Sequence, residues 1–323
     1  MYRRQFLKAT ALGVAAETLH GRTLGAESVR PVEEPARPAH TPAWDLVTLF
    51  GWPALFWIWA RFGVEPRPGE HPALLPAAAF PALVIPDGRG TVNEKGVDFY
   101  KRLVDELLAH DITPHATLYH WDLPQALQDK YRGWESREVA DDFADYATAI
   151  VKRLGDKVTR WMTLNEILTF TQLGYGINSE ARHAPGLALS RPKDRWQVVH
   201  HALLAHGRAC QAIRAASPRA CKVAIAENFS PFIPIIETPE HVNAVKLAFI
   251  TPLLTGHYDA YWLQQRGAEA PDVRTGDMET IHQPLDGLGF NCYTGTYVRA
   301  ASNPAGYEEV PVFEGYPKMG VSW

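Results

Sequence analysis

The sequence predicts an α/β fold of the (β/α)8 TIM-barrel class, incomplete in this chain, on three observations. From residue 86 onward, apolar strand-like runs alternate with helical patterns, as parallel strands require, because each crossover needs a dozen or more residues. Every one of those strands ends on polar or aromatic residues, which a barrel would gather around one pocket. No G-x-G-x-x-G or G-x-x-x-x-G-K-[ST] loop occurs, so the usual mark of a doubly wound open sheet is missing.

Residues 1–26 precede the fold. Arg3-Arg4-Gln5-Phe6-Leu7-Lys8 followed by the mild apolar run Ala9 to Ala16 resembles a twin-arginine export leader, with Leu24-Gly25-Ala26 as its cleavage site. Such a leader implies a periplasmic or secreted protein. Residues 27–85 are irregular: between Pro31 and Pro86 lie 11 of the 25 prolines, which disfavours long helices and central strands. The apolar stretch Leu46 to Ala60 carries Gly51 and Pro53 and is shorter than the roughly 20 residues that cross a bilayer, so no membrane span is expected.

The regular part, residues 86–323, opens on the turn Pro86-Asp87-Gly88-Arg89-Gly90. Phe99, Tyr100, Leu103, Val104, Leu107 and Leu108 then repeat as one apolar helical face. A strand from Ile112 to Tyr119 ends at His120-Trp121. The next helix carries Val139, Phe143, Tyr146, Ile150 and Leu154 on one side, and a strand from Val158 to Leu164 ends at Asn165-Glu166. A third helix from Arg195 is expected to start from Asp194, with Gln197 completing a capping box. The strand Lys222 to Ala226 ends at Glu227-Asn228, and Thr238-Pro239 opens a fourth helix. A last strand, Gly287 to Phe290, ends at Asn291-Cys292-Tyr293.

Composition narrows the chemistry. The net charge of −4 gives no basic field, so nucleic acid is not an expected partner. Cys210, Cys221 and Cys292 show no C-x-x-C spacing, and His200, His201 and His206 do not form the H-E-x-x-H face, so neither a metal nor a cofactor is expected. Those histidines read as satisfied or exposed helix residues. An isolated Asn-Glu pair is ordinarily a cap or a salt bridge, but here polar strand ends recur. In a barrel, His120, Trp121, Asn165, Glu166, Asn291 and Tyr293 share one cleft. An indole for stacking, amides and an imidazole for hydrogen bonds and a carboxyl group as acid suit a sugar.

At these residues the text resembles glycoside hydrolase family 1, the β-glucosidase and β-galactosidase family. The motifs are His120-Trp121-Asp122-Leu123-Pro124, Thr163-Leu164-Asn165-Glu166, His183-Ala184-Pro185-Gly186 and Gly289-Phe290-Asn291-Cys292-Tyr293, and the likeness runs from Pro86 to about Trp323. It implies a retaining β-glycosidase acting on a terminal β-glycosyl residue of a small glycoside or oligosaccharide. Glu166 would be the acid/base, Asn165 and His120 would bind hydroxyls, Trp121 would line the pocket, and Asn291 and Tyr293 would contact the nucleophile side.

The departures from the family pattern are specific. The family's nucleophile stands in an Ile/Val-Thr-Glu-Asn-Gly motif, and no T-E-N-G occurs before Trp323. Ala226-Glu227-Asn228 looks similar but matches the fifth strand of the family rather than the seventh, so Glu227 reads first as a rim or hydrogen-bonding group and only second as a nucleophile sharing the cleft with Glu166. Ile167 stands where the family has proline, and Leu168 lies where an aromatic often meets the aglycone. Trp44-Asp45 resembles the early I-W-D, yet residues 46–84 match nothing of the family and read as a shifted frame or degenerate replacement. The alternative function is therefore a truncated, inactive sugar-binding remnant. An unclosed parallel sheet also leads to an expectation of low solubility or partner dependence.

Overall fold

In a computed structural model, residues 84–176, 183–228, 232–235, 250–291, 295–302 and 307–311 are described. The chain divides into two units, Met1–Pro42 and Ala43–Trp323, and every described residue lies in the second. The leader, Trp44-Asp45, the run Leu46 to Ala60, the helix start at Thr238-Pro239, and Cys292 and Tyr293 fall outside the described residues.

The Pro86 to Gly90 turn is present, with Gly88 and Gly90 at φ of 69° and 82° and Gly88 N–H donating to Ile85 O at 2.7 Å. Helix α1 (Glu94–Ala109) buries Val97, Phe99, Tyr100, Leu103, Val104 and Leu107, the face its periodicity predicts, whereas Leu108 is exposed. Strand β1 (His115–Tyr119) begins three residues later than the apolar run suggests. Ile112 N–H instead closes the helix end on Leu107 O, and Pro114 has no N–H to give to a sheet. After α2 (Gln125–Tyr131) comes α3 (Val139–Leu154), whose acidic first turn and basic last turn complement the helix dipole.

Strand β2 (Arg160–Asn165) leads directly into α4 (Ile167–Gly174), a helix the sequence reading did not foresee. Helix α5 (Pro192–Ala216) starts three residues before the expected Arg195, because proline with its fixed φ stands at the first helical position. The capping box is not formed: Asp194 pairs with Arg191 at 2.6 and 2.8 Å, and Gln197 accepts from Asp272 N–H at 2.8 Å.

The chain continues through β3 (Lys222–Asn228), β4 (Phe232–Pro234), α6 (Thr251–Thr255), α7 (Ala260–Arg266), α8 (Asp277–Ile281), β5 (Gly287–Asn291), β6 (Thr296–Ala300) and β7 (Tyr307–Glu309). Strands β1-β2-β3-β5 form one all-parallel sheet in that order, four consecutive staves of a (β/α)8 barrel. A small second sheet pairs β4 with β6 in parallel and β6 with β7 in antiparallel register.

The main core lies between the first sheet and its helices, chiefly α3 and α5. The three helix histidines are all in it. His200 bonds Tyr258 at 2.8 Å and Asp277 at 2.9 Å, His201 bonds Trp134 O at 3.0 Å, and His206 bonds Thr163 Oγ1 at 2.6 Å. They are satisfied, as expected, but none is exposed. The opposite face of the sheet is less covered, with Met162, Ala224 and Gly289 half-buried, while Phe290, level with Glu227 on the helix side, is exposed. A hollow of about 340 Å³ lies there, lined by residues that include His115, Arg160, Lys222 and Gly287. Those four stand at the N-terminal ends of their strands, the far end from Glu166.

Candidate active site

The C-terminal ends of the four strands bring the expected residues together. His120 and Trp121 follow β1, Asn165 ends β2 with Glu166 next, Asn228 ends β3 and Asn291 ends β5. A β-bulge decides where the β2 residues point. Met162 pairs with Ala224 and Asn165 with Ala226, so three residues of β2 span the length of two on β3. Met162 and Asn165 therefore share the face turned away from the helices, while Thr163 faces α5 and bonds His206.

Asn291 ties the cluster together. Its Nδ2 donates to Asn165 Oδ1 at 2.9 Å and to Glu166 Oε1 at 2.6 Å. Its contact is thus with Glu166, whereas the resemblance implied a contact on the nucleophile side. Trp121 Nε1 donates to Asn165 O at 3.0 Å, and the His120 ring lies beside the Asn165 amide, 3.5 Å from Nε2 to Nδ2. The His183 ring meets Trp121 edge-on at 5.1 Å between centroids. Trp121 and Glu166 both take positive φ, 76° and 55°, a conformation that costs a non-glycine residue energy and is retained at functional sites.

The electrostatics favour an acid. Burial raises the Glu166 carboxyl above its ordinary value, and hydrogen bonds from Asn291, Thr169 and Asn228 partly offset this. His120 is pushed down to about 4 by burial and then by His183, so it is neutral near pH 7. Thr169, Asn228 and His183 were not foreseen as site residues. Asn228 had a legible signal, since it lies two residues from Ala226 on the cleft side of β3.

Glu227 is not on the rim. Val223, Ile225 and Glu227 alternate on the helix-facing side of β3 and are all fully buried. Its carboxyl accepts the Ile167 N–H at 3.1 Å, which is the hydrogen-bonding role. Burial, and after it the neighbouring Glu166 charge, push its carboxyl well above the usual range. Among the described residues, no group of three or more His, Cys, Asp or Glu side chains is arranged to hold a metal ion, and no helix is long and apolar enough to cross a membrane.

Parallel β/α units with amides, an imidazole and a buried acid at the C-terminal strand ends define one side of a (β/α)8 barrel and its site. The chain belongs to glycosyl hydrolase family 1, whose family model matches residues 80–311. It is 42% identical over 235 residues to a thermostable beta-glucosidase B from Thermobispora bispora, covering 71% of this chain and 47% of that one. A solved beta-glucosidase from Thermotoga maritima in complex with deoxynojirimycin superposes with a TM-score of 0.67 at 35% identity, over 76% of this chain and 55% of the other. A rice beta-glucosidase mutant in a covalent complex with Glc gives 0.67 at 29% identity, over 80% and 66%. The chain spans about half the length of the curated relatives it matches.

Proposed function

We propose that this protein is a retaining β-glycosidase of β-glucosidase type, acting on terminal non-reducing β-D-glycosyl residues, with Glu166 as acid/base. The observation that carries the reading is the buried Glu166 carboxyl, raised above its ordinary value and held by Asn291 beside Asn165 and His120. Retaining hydrolysis needs one carboxylic acid to protonate the leaving oxygen while a carboxylate about 5 to 5.5 Å away attacks the anomeric carbon. Glu166 is suited to the first part. Once the partner's negative charge is spent in the glycosyl-enzyme, its proton affinity falls and it can deprotonate water. Trp121 offers a ring to the sugar, and neutral His120 can donate or accept to a hydroxyl. Several relatives, among them those from Thermobispora bispora and Thermotoga maritima, are named beta-glucosidases, which supports glucose as a glycone.

The test uses phenyl β-glucoside, whose leaving oxygen needs protonation, with azide supplied as nucleophile because no T-E-N-G segment occurs in these 323 residues. Glucosyl azide and phenol should form, and Glu166→Gln should slow the reaction by roughly 10²- to 10⁴-fold. Equal rates for both chains would refute Glu166 as the acid. No reaction with or without azide, beside retained glucose binding, would support the sugar-binding remnant. The Arg3 to Lys8 motif supports export to the periplasm or beyond, and a mature product that keeps Met1 in the cytoplasm would count against it.

A further inference from the structure

Glu227 takes no part in the reaction as read above, yet it is an acidic side chain buried completely in the core. A group of that kind is costly to bury and calls for a compensating role. Its two carboxyl oxygens lie 3.1 and 3.4 Å from Ile167 N, the first residue of α4. The preceding residue of the same strand, Ala226, accepts the Glu166 N–H at 2.8 Å. Two adjacent residues of β3 thus hold the two peptide N–H groups on either side of the Glu166 α-carbon. Between these two holds Glu166 adopts φ 55° and ψ 63°. Left-handed backbone of this kind is costly for a residue with a side chain and persists only where the surroundings fix it.

Position 167 adds a second observation. Proline, the residue that the resemblance leads one to expect there, suits a first helical position and has no N–H. Ile167 is fully buried and brings a donor into the core, and Glu227 is the acceptor that satisfies it.

We propose that Glu227 is a positioning residue for the acid/base: its buried carboxyl clamps the β2–α4 turn and so presents Glu166 to the cleft. The inference rests on the reading of Glu166 as acid/base, but its test does not require turnover. Burial pushes the Glu227 carboxyl toward its neutral form, which glutamine mimics while keeping the acceptor oxygen, whereas leucine preserves only its bulk. Among the described residues, the other groups facing Glu166 are His120, through Asn165 from the end of β1, Asn291 from β5, Asn228 from β3 and Thr169 from α4.

The experiment is a carbon-13 titration of the glutamate carboxyls in the full 323-residue chain, with the Glu166 signal assigned by its loss in Glu166→Gln. In the wild type its midpoint should lie above the ordinary 4.5. Glu227→Gln should leave it in place. Glu227→Leu should lower it, as the freed turn opens the carboxyl to water. Glu227→Met makes the same comparison if the leucine variant does not fold. An unchanged midpoint in the folded apolar variant, or an equal fall in the glutamine variant, would overturn the proposal. A merely structural role would lower the thermal midpoint and leave the titration of the folded chain alone. Failure of the glucoside reaction in the wild type would count against the proposed function, while this titration would still decide the role of Glu227.

Discussion

Lowering the pH should destabilise this fold through His206, and replacing that residue by asparagine should remove the effect. The imidazole is fully buried, with Nδ1 2.6 Å from Thr163 Oγ1 and Nε2 3.5 Å from Cys210 Sγ. Burial, and after it the Arg214 charge, lower its pKa from 6.5 to about 3. The unfolded chain therefore binds a proton between these limits that the native chain does not. Native stability is complete above about pH 6.5 and falls with pH toward 3, by up to about 1.4 kcal/mol per unit. At pH ~5 the loss from this one group is about 2 kcal/mol relative to pH ~7.5. His206→Asn keeps a polar atom near the Nδ1 position and does not titrate. His120 and His201, each lowered to about 4, add losses of the same sign that cancel when wild type and variant are compared. Urea denaturation of both chains at the two pH values, with matching m-values, measures the difference. The variant's stability deficit should shrink by about 2 kcal/mol on acidification. A deficit that stays constant with pH would show that His206 is protonated in the native state and refute the reasoning.

Two further predictions concern packing and the acid. Asn291→Ala removes a hydrogen bond that lowers the Glu166 pKa, so the Glu166 carboxyl midpoint in the carbon-13 titration should rise, and a fall would contradict the geometry. Gly207→Ala would ordinarily stabilise a helix by about 1 kcal/mol. Here a Cβ would overlap Thr280 O where α5 crosses α8, so the variant should be less stable by about 1–3 kcal/mol. A raised urea midpoint would show that the two helices are not in close contact.

Much of the fold was legible because its signals are periodic. The 3.6-residue spacing from Phe99 to Leu107 and from Val139 to Leu154 marks the buried faces of α1 and α3, and the runs ending at Tyr119, Leu164, Ala226 and Phe290 locate four parallel strands. Because such strands present their C-terminal ends together, the nearness of His120, Asn165, Glu166 and Asn291 follows from the alternation itself. What escaped was local. Helix α4 and the short helices α6 to α8, of five to eight residues, are too brief to establish a period. Asp194 suits a cap, but Pro192 takes the helix start. The three-residue strands β4 and β7 are fixed by their partners rather than by their own residues. The orientation of Glu227 is legible in the sequence, since Val223 and Ile225 mark its side of the strand as the apolar one, which argues against a place on the rim.

The extra residue in β2 also has an evolutionary consequence. Along the Thr163-Leu164-Asn165 segment, the bulge inverts parity: odd-numbered positions serve the interior before it and the cleft after it. Deleting one residue between Met162 and Asn165 would restore simple alternation and move the Asn165 amide relative to the wall of helices. Substitutions in this stretch can be accommodated one side chain at a time, whereas a change of length by one cannot. The motif is thus under a constraint of count as well as of chemistry, and a homologous sequence with the right letters at the wrong spacing should not be expected to build this site.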